Sequence, residues 1–102
     1  MYKIRVTAEA HEDIEQTIKY IAEKLQNSSA ATSFANDVME SYVNLSENPF
    51  MYALCSDPYL AGKGYRKIVI KNYIILYRID REQNIVYIIR VIYGGRNYTE
   101  IV

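Results

Sequence analysis

The chain has 102 residues, half of them hydrophobic and 24% charged, enough for one hydrophobic core and too apolar for a disordered segment. No apolar run approaches the about 20 residues of a membrane-spanning helix, and the first residues lack the apolar stretch of a secretory signal. A lone Cys55 cannot form an internal disulfide, so a single domain over residues 1–102 in a reducing, cytoplasmic setting is expected, with no membrane association.

Net charge is zero, but it is unevenly spread. Residues 1–61 hold four basic and nine acidic residues, a net of −5, whereas residues 62–102 hold eight and three, a net of +5. Either the second half builds a basic functional surface, or the two halves neutralise each other where they pack.

Residues 2–6 read as a short strand, with Ile4 and Val6 on one face and Lys3 and Arg5 on the other. Thr7 is a helix N-cap, and Ile14, Ile18, Ile21 and Leu25 then form one apolar stripe on an amphipathic helix. The polar Asn27-Ser28-Ser29 ends it. A second helix runs from about residue 30 to 45, with Phe34, Val38, Tyr42 and Leu45 as its buried stripe and Asn48-Pro49 as its stop. The short link makes the two helices an antiparallel hairpin. Residues 49–64 lose periodicity but keep Phe50, Met51, Tyr52, Leu54 and Leu60, so a packed loop with one short helical turn is expected.

Residues 65–70, 73–79 and 85–93 are rich in β-branched and aromatic residues and are joined by polar connectors, the pattern of a strand meander. Arg66, Ile68 and Ile70 share one face of the first of these strands, and Lys67, Val69 and Lys71 share the other. The next two strands are apolar on both faces apart from Arg78 and Arg90, which makes them central and covered on both sides. Gly94-Gly95 ends the last. The order β-α-α-β-β-β predicts an α+β fold, with the helical hairpin packed on an antiparallel sheet.

No glycine-rich phosphate loop, paired cysteines or serine elbow is present, and one histidine with one cysteine makes a metal site unexpected. His11 reads as a solvated helix residue and Cys55 as structural. Seven of the eleven tyrosines lie in the last 44 residues, interleaved with the eight basic residues. Flat rings and planar cations suit a nucleic-acid surface or a protein-binding groove, while tyrosine is also an ordinary strand residue.

The segments Tyr65-Arg66-Lys67-Ile68, Tyr73-Ile74-Ile75-Leu76-Tyr77-Arg78-Ile79-Asp80 and Ile85 through Tyr93-Gly94-Gly95-Arg96-Asn97-Tyr98 resemble the RelE/ParE toxin superfamily of type II toxin–antitoxin modules. The opening strand with its acidic first helical turn, Tyr20-Ile21 and Asn48-Pro49 resemble it too. That resemblance implies a toxin neutralised by a cognate antitoxin, and no metal or small-molecule cofactor is expected. Its target is either the ribosome with its mRNA, cut by a RelE-like nuclease, or DNA gyrase, poisoned by a ParE-like toxin; a degenerate antitoxin-binding module is a third possibility.

RelE-like cleavage uses the RNA 2′-hydroxyl as nucleophile, so the protein must move protons and stabilise added negative charge without a metal. The resemblance places that family's strand lysines at Lys67 and Val69, its next-strand arginine at Ile74, its C-terminal arginine at Arg96 and its tyrosine near Tyr98. Tyr93 falls where other nuclease relatives carry a histidine. Two of these cations are therefore missing. With a pI of about 6.6, the resemblance leans towards ParE, with Arg66, Lys67, Lys71, Arg78, Arg90 and Arg96 as contacts to the target or to nucleic acid.

Overall fold

The computed structural model describes residues 1–95. Its elements are β1 (Lys3–Val6), α1 (Ala8–Lys19), a π-helical turn (Tyr20–Lys24), α2 (Ser28–Glu47), α3 (Pro58–Gly62), β2 (Arg66–Ile70), β3 (Tyr73–Asp80) and β4 (Ile85–Tyr93). The α+β class and the expected order hold, and α3 is the short helical turn of the middle segment.

Local chemistry sets the helix ends. The Ala10 N–H donates to the Thr7 hydroxyl at 3.1 Å, and the Ala30 N–H donates to the Asn27 side chain at 3.0 Å. Asp57 accepts from the Tyr59 and Leu60 N–H groups, with Pro58 opening the helix where no N–H partner is needed. α2 stops at Glu47, two residues before Pro49.

The strands are ordered β1-β4-β3-β2. β2–β3 and β3–β4 pair antiparallel, but β1 pairs parallel with β4, Lys3 opposite Ile85 and Val6 opposite Ile88. The sheet is therefore mixed rather than wholly antiparallel. Alternation identifies a strand but not its neighbour, and the helical crossover after β1 returns the chain in a direction that makes this one ladder parallel.

Apolar side chains cover the sheet on both faces. Ala10, Ile21, Phe34, Val38 and Leu45 from the helices pack on Ile68, Ile75, Tyr77, Val86, Ile88 and Val91. On the outer face, Cys55 and Leu60 pack on Ile74, Leu76 and Ile92. Residues 49–64 thus provide the second cover that the two-sided apolar strands require. The β3–β4 register breaks at Leu76/Tyr77, where Tyr77 pairs with Ile88 and Leu76 with Arg90, so Ile89 is the extra residue of a β-bulge.

Leu25 departs from its expected place. It is 56% exposed, although Ile21 is buried. The π turn takes more residues per turn than an α-helix and carries position 25 off the stripe begun by Ile14 and Ile18.

Two tyrosines in the helix-side core differ instructively. Tyr77 is fully buried and its hydroxyl donates to the Pro49 carbonyl at 2.9 Å, tying the loop to the sheet. The Tyr42 hydroxyl is buried without a partner among the described residues. Burial pushes both phenols up to about 12. Between pH about 10 and 12 the unfolded chain loses these protons while the folded chain keeps them, so stability falls as pH rises through that window. Tyr77→Phe should cost about 1–2 kcal/mol at neutral pH by stranding a carbonyl, and Tyr42→Phe should cost almost nothing; each should flatten the alkaline loss in urea titrations.

Candidate functional site

The candidate cations do not converge on one patch. Arg90 is the most fully engaged. β1 ends at Val6, so the edge of β4 beyond Ile88 has lost its strand partner. Two residues of the first helix region fill the gap. The Thr7 N–H donates to the Ile88 carbonyl at 3.1 Å, and the Thr7 hydroxyl donates to that of Ile89 at 2.9 Å. One step on, the Val91 N–H donates to Asp13 Oδ2 at 3.0 Å, and the same carboxylate takes Arg90 through Nε at 2.7 Å and Nη2 at 2.9 Å. The hydrogen bond to Asp13 holds the guanidinium still more firmly protonated than usual.

Arg66 turns to the helix side, where it donates to the Tyr52 carbonyl at 2.6 Å and lies 5.3 Å from the Phe50 ring centre. Arg78 is on the outer face, stacked 4.4 Å over Tyr87. Lys67 pairs in register with Leu76 on that same outer face, next to Cys55. Burial raises the Cys55 thiol, an effect that the Lys67 charge partly offsets. Cys55 is itself part of the covering loop and is buried against the sheet. Among the described residues, no three His, Cys, Asp or Glu side chains come together as metal ligands would.

Lys71 and Tyr93 do meet, at the end of the sheet where the β2–β3 turn approaches the end of β4. Lys71 follows β2 in a left-handed conformation, φ 54°, which costs a non-glycine residue about 1 kcal/mol. That geometry turns its ammonium towards α2 rather than along the face of Lys67 and Val69. Its ammonium donates to Ser33 at 2.8 Å and lies 3.8 Å from Asp37. Tyr93, half exposed, stands edge-on to Tyr73 at 5.8 Å, and Tyr73 stands edge-on to Phe34 at 5.1 Å. The Gly94 N–H donates to the Asn72 carbonyl at 2.8 Å. A β-carbon on Gly95 would come within 2.5 Å of the Tyr93 ring, so glycine lets the chain pass close over it.

Tyr93 separates two grooves. On the helix side, a cavity of about 510 Å³ opens between the π turn and the β2–β3 turn, lined by Tyr20, Leu25, Phe34, Tyr73 and Tyr93 among others. On the outer side, a shallower one of about 290 Å³ is lined by Val69, Lys71, Ile74, Tyr93, Gly94 and Gly95. Val69 and Ile74 are register partners, Val69 63% exposed and Ile74 buried. The two positions assigned to the missing nuclease cations therefore sit side by side, and both are apolar. Arg96 and Tyr98 lie outside the described residues.

Tyr20 and Leu25 are groove residues that the apolar periodicity conceals, because that pattern assigns Leu25 to the core. Asp13 is concealed for a different reason: it looks like one more solvated helix acid. The signal for it is Arg90 itself, a cation in the middle of an apolar strand that requires a carboxylate partner. Removing that partner with Asp13→Ala should destabilise the fold by about 2–3 kcal/mol in chemical denaturation, by unpairing a largely buried guanidinium and the Val91 N–H. Asp13→Asn, which keeps an acceptor, should lose less.

Residues 4–98 match the sequence model of a family described as the ParE toxin of the type II toxin–antitoxin system, parDE. No curated protein sequence matches the chain. Among solved structures, it is similar to a chain of the chromosomal ParDE toxin–antitoxin system of P. aeruginosa, with a TM-score of 0.70 and 16% identity, covering 91% of this chain and 96% of that one. It is also similar to a chain of the RelBE2 toxin–antitoxin complex of Mycobacterium tuberculosis, with a TM-score of 0.63 and 24% identity over 90% and 96% of the two chains. For the intact E. coli RelBE complex the TM-score is 0.63 and the identity 16%, over 94% and 100%. At these identities the likeness establishes a shared fold.

Proposed function

The chain belongs to the ParE toxin family of type II toxin–antitoxin systems, and on that footing we propose that it acts by binding DNA gyrase rather than by cutting RNA. The observation that carries this reading is the pairing of Val69 with Ile74. A metal-independent ribonuclease needs clustered cations where phosphate charge builds up. Here the resemblance places two of them at a valine and a buried isoleucine, on the wall of the outer groove. Of the remaining cations at that end, Lys71 is already engaged with Ser33 and Asp37. A chain of zero net charge also has a weak long-range attraction for the phosphate surface of a ribosome.

The partner that neutralises it is a cognate antitoxin, as the similar solved chains come from toxin–antitoxin complexes. An extended antitoxin segment lying over the sheet and the helical hairpin would cross the helix-side groove, where Tyr20, Leu25 and Tyr93 are exposed. Pull-down with the product of an adjoining short reading frame should recover a stable complex; recovery of the toxin chain alone would count against it.

Purified toxin in excess should inhibit gyrase supercoiling and accumulate cleaved DNA, while primer extension on translated messages should show no new stops. Unchanged supercoiling together with discrete cuts in the ribosomal A site would reverse the reading in favour of the nuclease.

A further inference from the structure

We infer that the outer face of the sheet, at the end formed by β1, β4 and β3, is a docking surface for an acidic segment of a protein partner. The register sets Arg5 beside Tyr87, and Tyr87 beside Arg78, in one row across three strands. Ile4 and Ile79 pack in the helix-side core, so the alternating Arg5 and Arg78 belong to the opposite face. Lys3 lies on that face two residues before Arg5. None of Lys3, Arg5 and Arg78 has a carboxylate within salt-bridge distance among the described residues, whereas Arg90 and Lys71 both do. Asp80 shares the face, in the row of Lys3 and Ile85, and its Oδ1 accepts from the Glu82 and Gln83 N–H groups of the following turn.

Most of the acids belong to the helical layer. Eight of the twelve lie in α1, the π turn and α2. Zero net charge thus conceals an acidic helical layer and a basic strip on the sheet, a distribution that orients an acidic partner onto the strip.

The same observations favour an acidic peptide over a nucleic acid. Three cations neutralise few phosphates. The Tyr87 ring, which a base would need as a platform, is occupied by the Arg78 guanidinium at 4.4 Å. A guanidinium stacked on a ring is held flat and keeps its N–H edge for a carboxylate, the geometry of bidentate recognition. The inference goes beyond the gyrase reading, since it stands on the electrostatics of the sheet and not on the identity of the target.

The test is fluorescence anisotropy on the full chain with a short labelled peptide alternating glutamate and valine. The comparison probes are the same peptide with lysine for glutamate and a single-stranded DNA of equal length. The acidic peptide should bind with an affinity that falls as salt is raised, and Arg5→Gln with Arg78→Gln should weaken it about tenfold or more. Arg81→Gln should leave it unchanged, because that guanidinium stacks over Phe50, away from the row. If the double variant does not fold, the exposed Arg5→Gln alone should still show a measurable part of the loss. Equal binding of the lysine peptide, tighter binding of the DNA, or full affinity in a folded double variant would each overturn the proposal. No gyrase enters this assay, so its failure and a failure of the supercoiling reading are distinguishable.

Discussion

The fold depends on how one strand edge is satisfied. β4 has nine residues and β1 only four, so a central strand runs on after its neighbour stops. An open edge beside a packed helix would strand backbone groups away from water, which is costly. Thr7 and Asp13 prevent this by spending side-chain and backbone groups of the first helix on the β4 backbone. Asp13 also neutralises Arg90 in the same contact. The start of α1 is thereby fixed to the sheet, and with it the hairpin whose far end walls the helix-side groove.

This arrangement resolves the opposed charges of the two halves. At the open edge of β4 and beside the β2–β3 turn they do neutralise each other, through Asp13 with Arg90 and Asp37 with Lys71. On the outer face they do not: among the described residues, neither Arg5 nor Arg78 has a carboxylate within salt-bridge distance. Both readings of the charge asymmetry therefore apply, each to a different part of the molecule. A tally of charge over the whole chain sets the long-range field but averages these two local arrangements.

Most of the architecture was legible because the residues that specify it act locally. Thr7 caps α1 through the N–H of Ala10, three residues away, as its place before the apolar stripe predicts; the same local chemistry at Asn27 and Asp57 emerges only with the structure. Pro49 stops α2, and the two-sided apolar pattern of β3 and β4 correctly required a second cover, which Cys55 and Leu60 supply. What could not be read depends on partners distant in sequence. The parallel pairing of β1 is set by a crossover of some eighty residues between Lys3 and Ile85. The role of Asp13 appears only when α1 lies beside β4. Of the candidate site, Tyr93 and Lys71 meet, while Arg66, Arg78 and Arg90 disperse because strand alternation and the bulge at Ile89 send them to different surroundings.

The π turn has a consequence for how the helix-side groove can change. Its mouth is set by helical phase, since one surplus residue between Lys19 and Leu25 rotates a leucine by about 100° out of the stripe that would otherwise swallow it. Ordinary point substitutions in the hairpin leave that phase intact. Loss of a single codon would instead restore α-helical winding, swing Leu25 inward and erase one wall. The recess is thus robust to the commonest kind of mutation and vulnerable to small in-frame deletions.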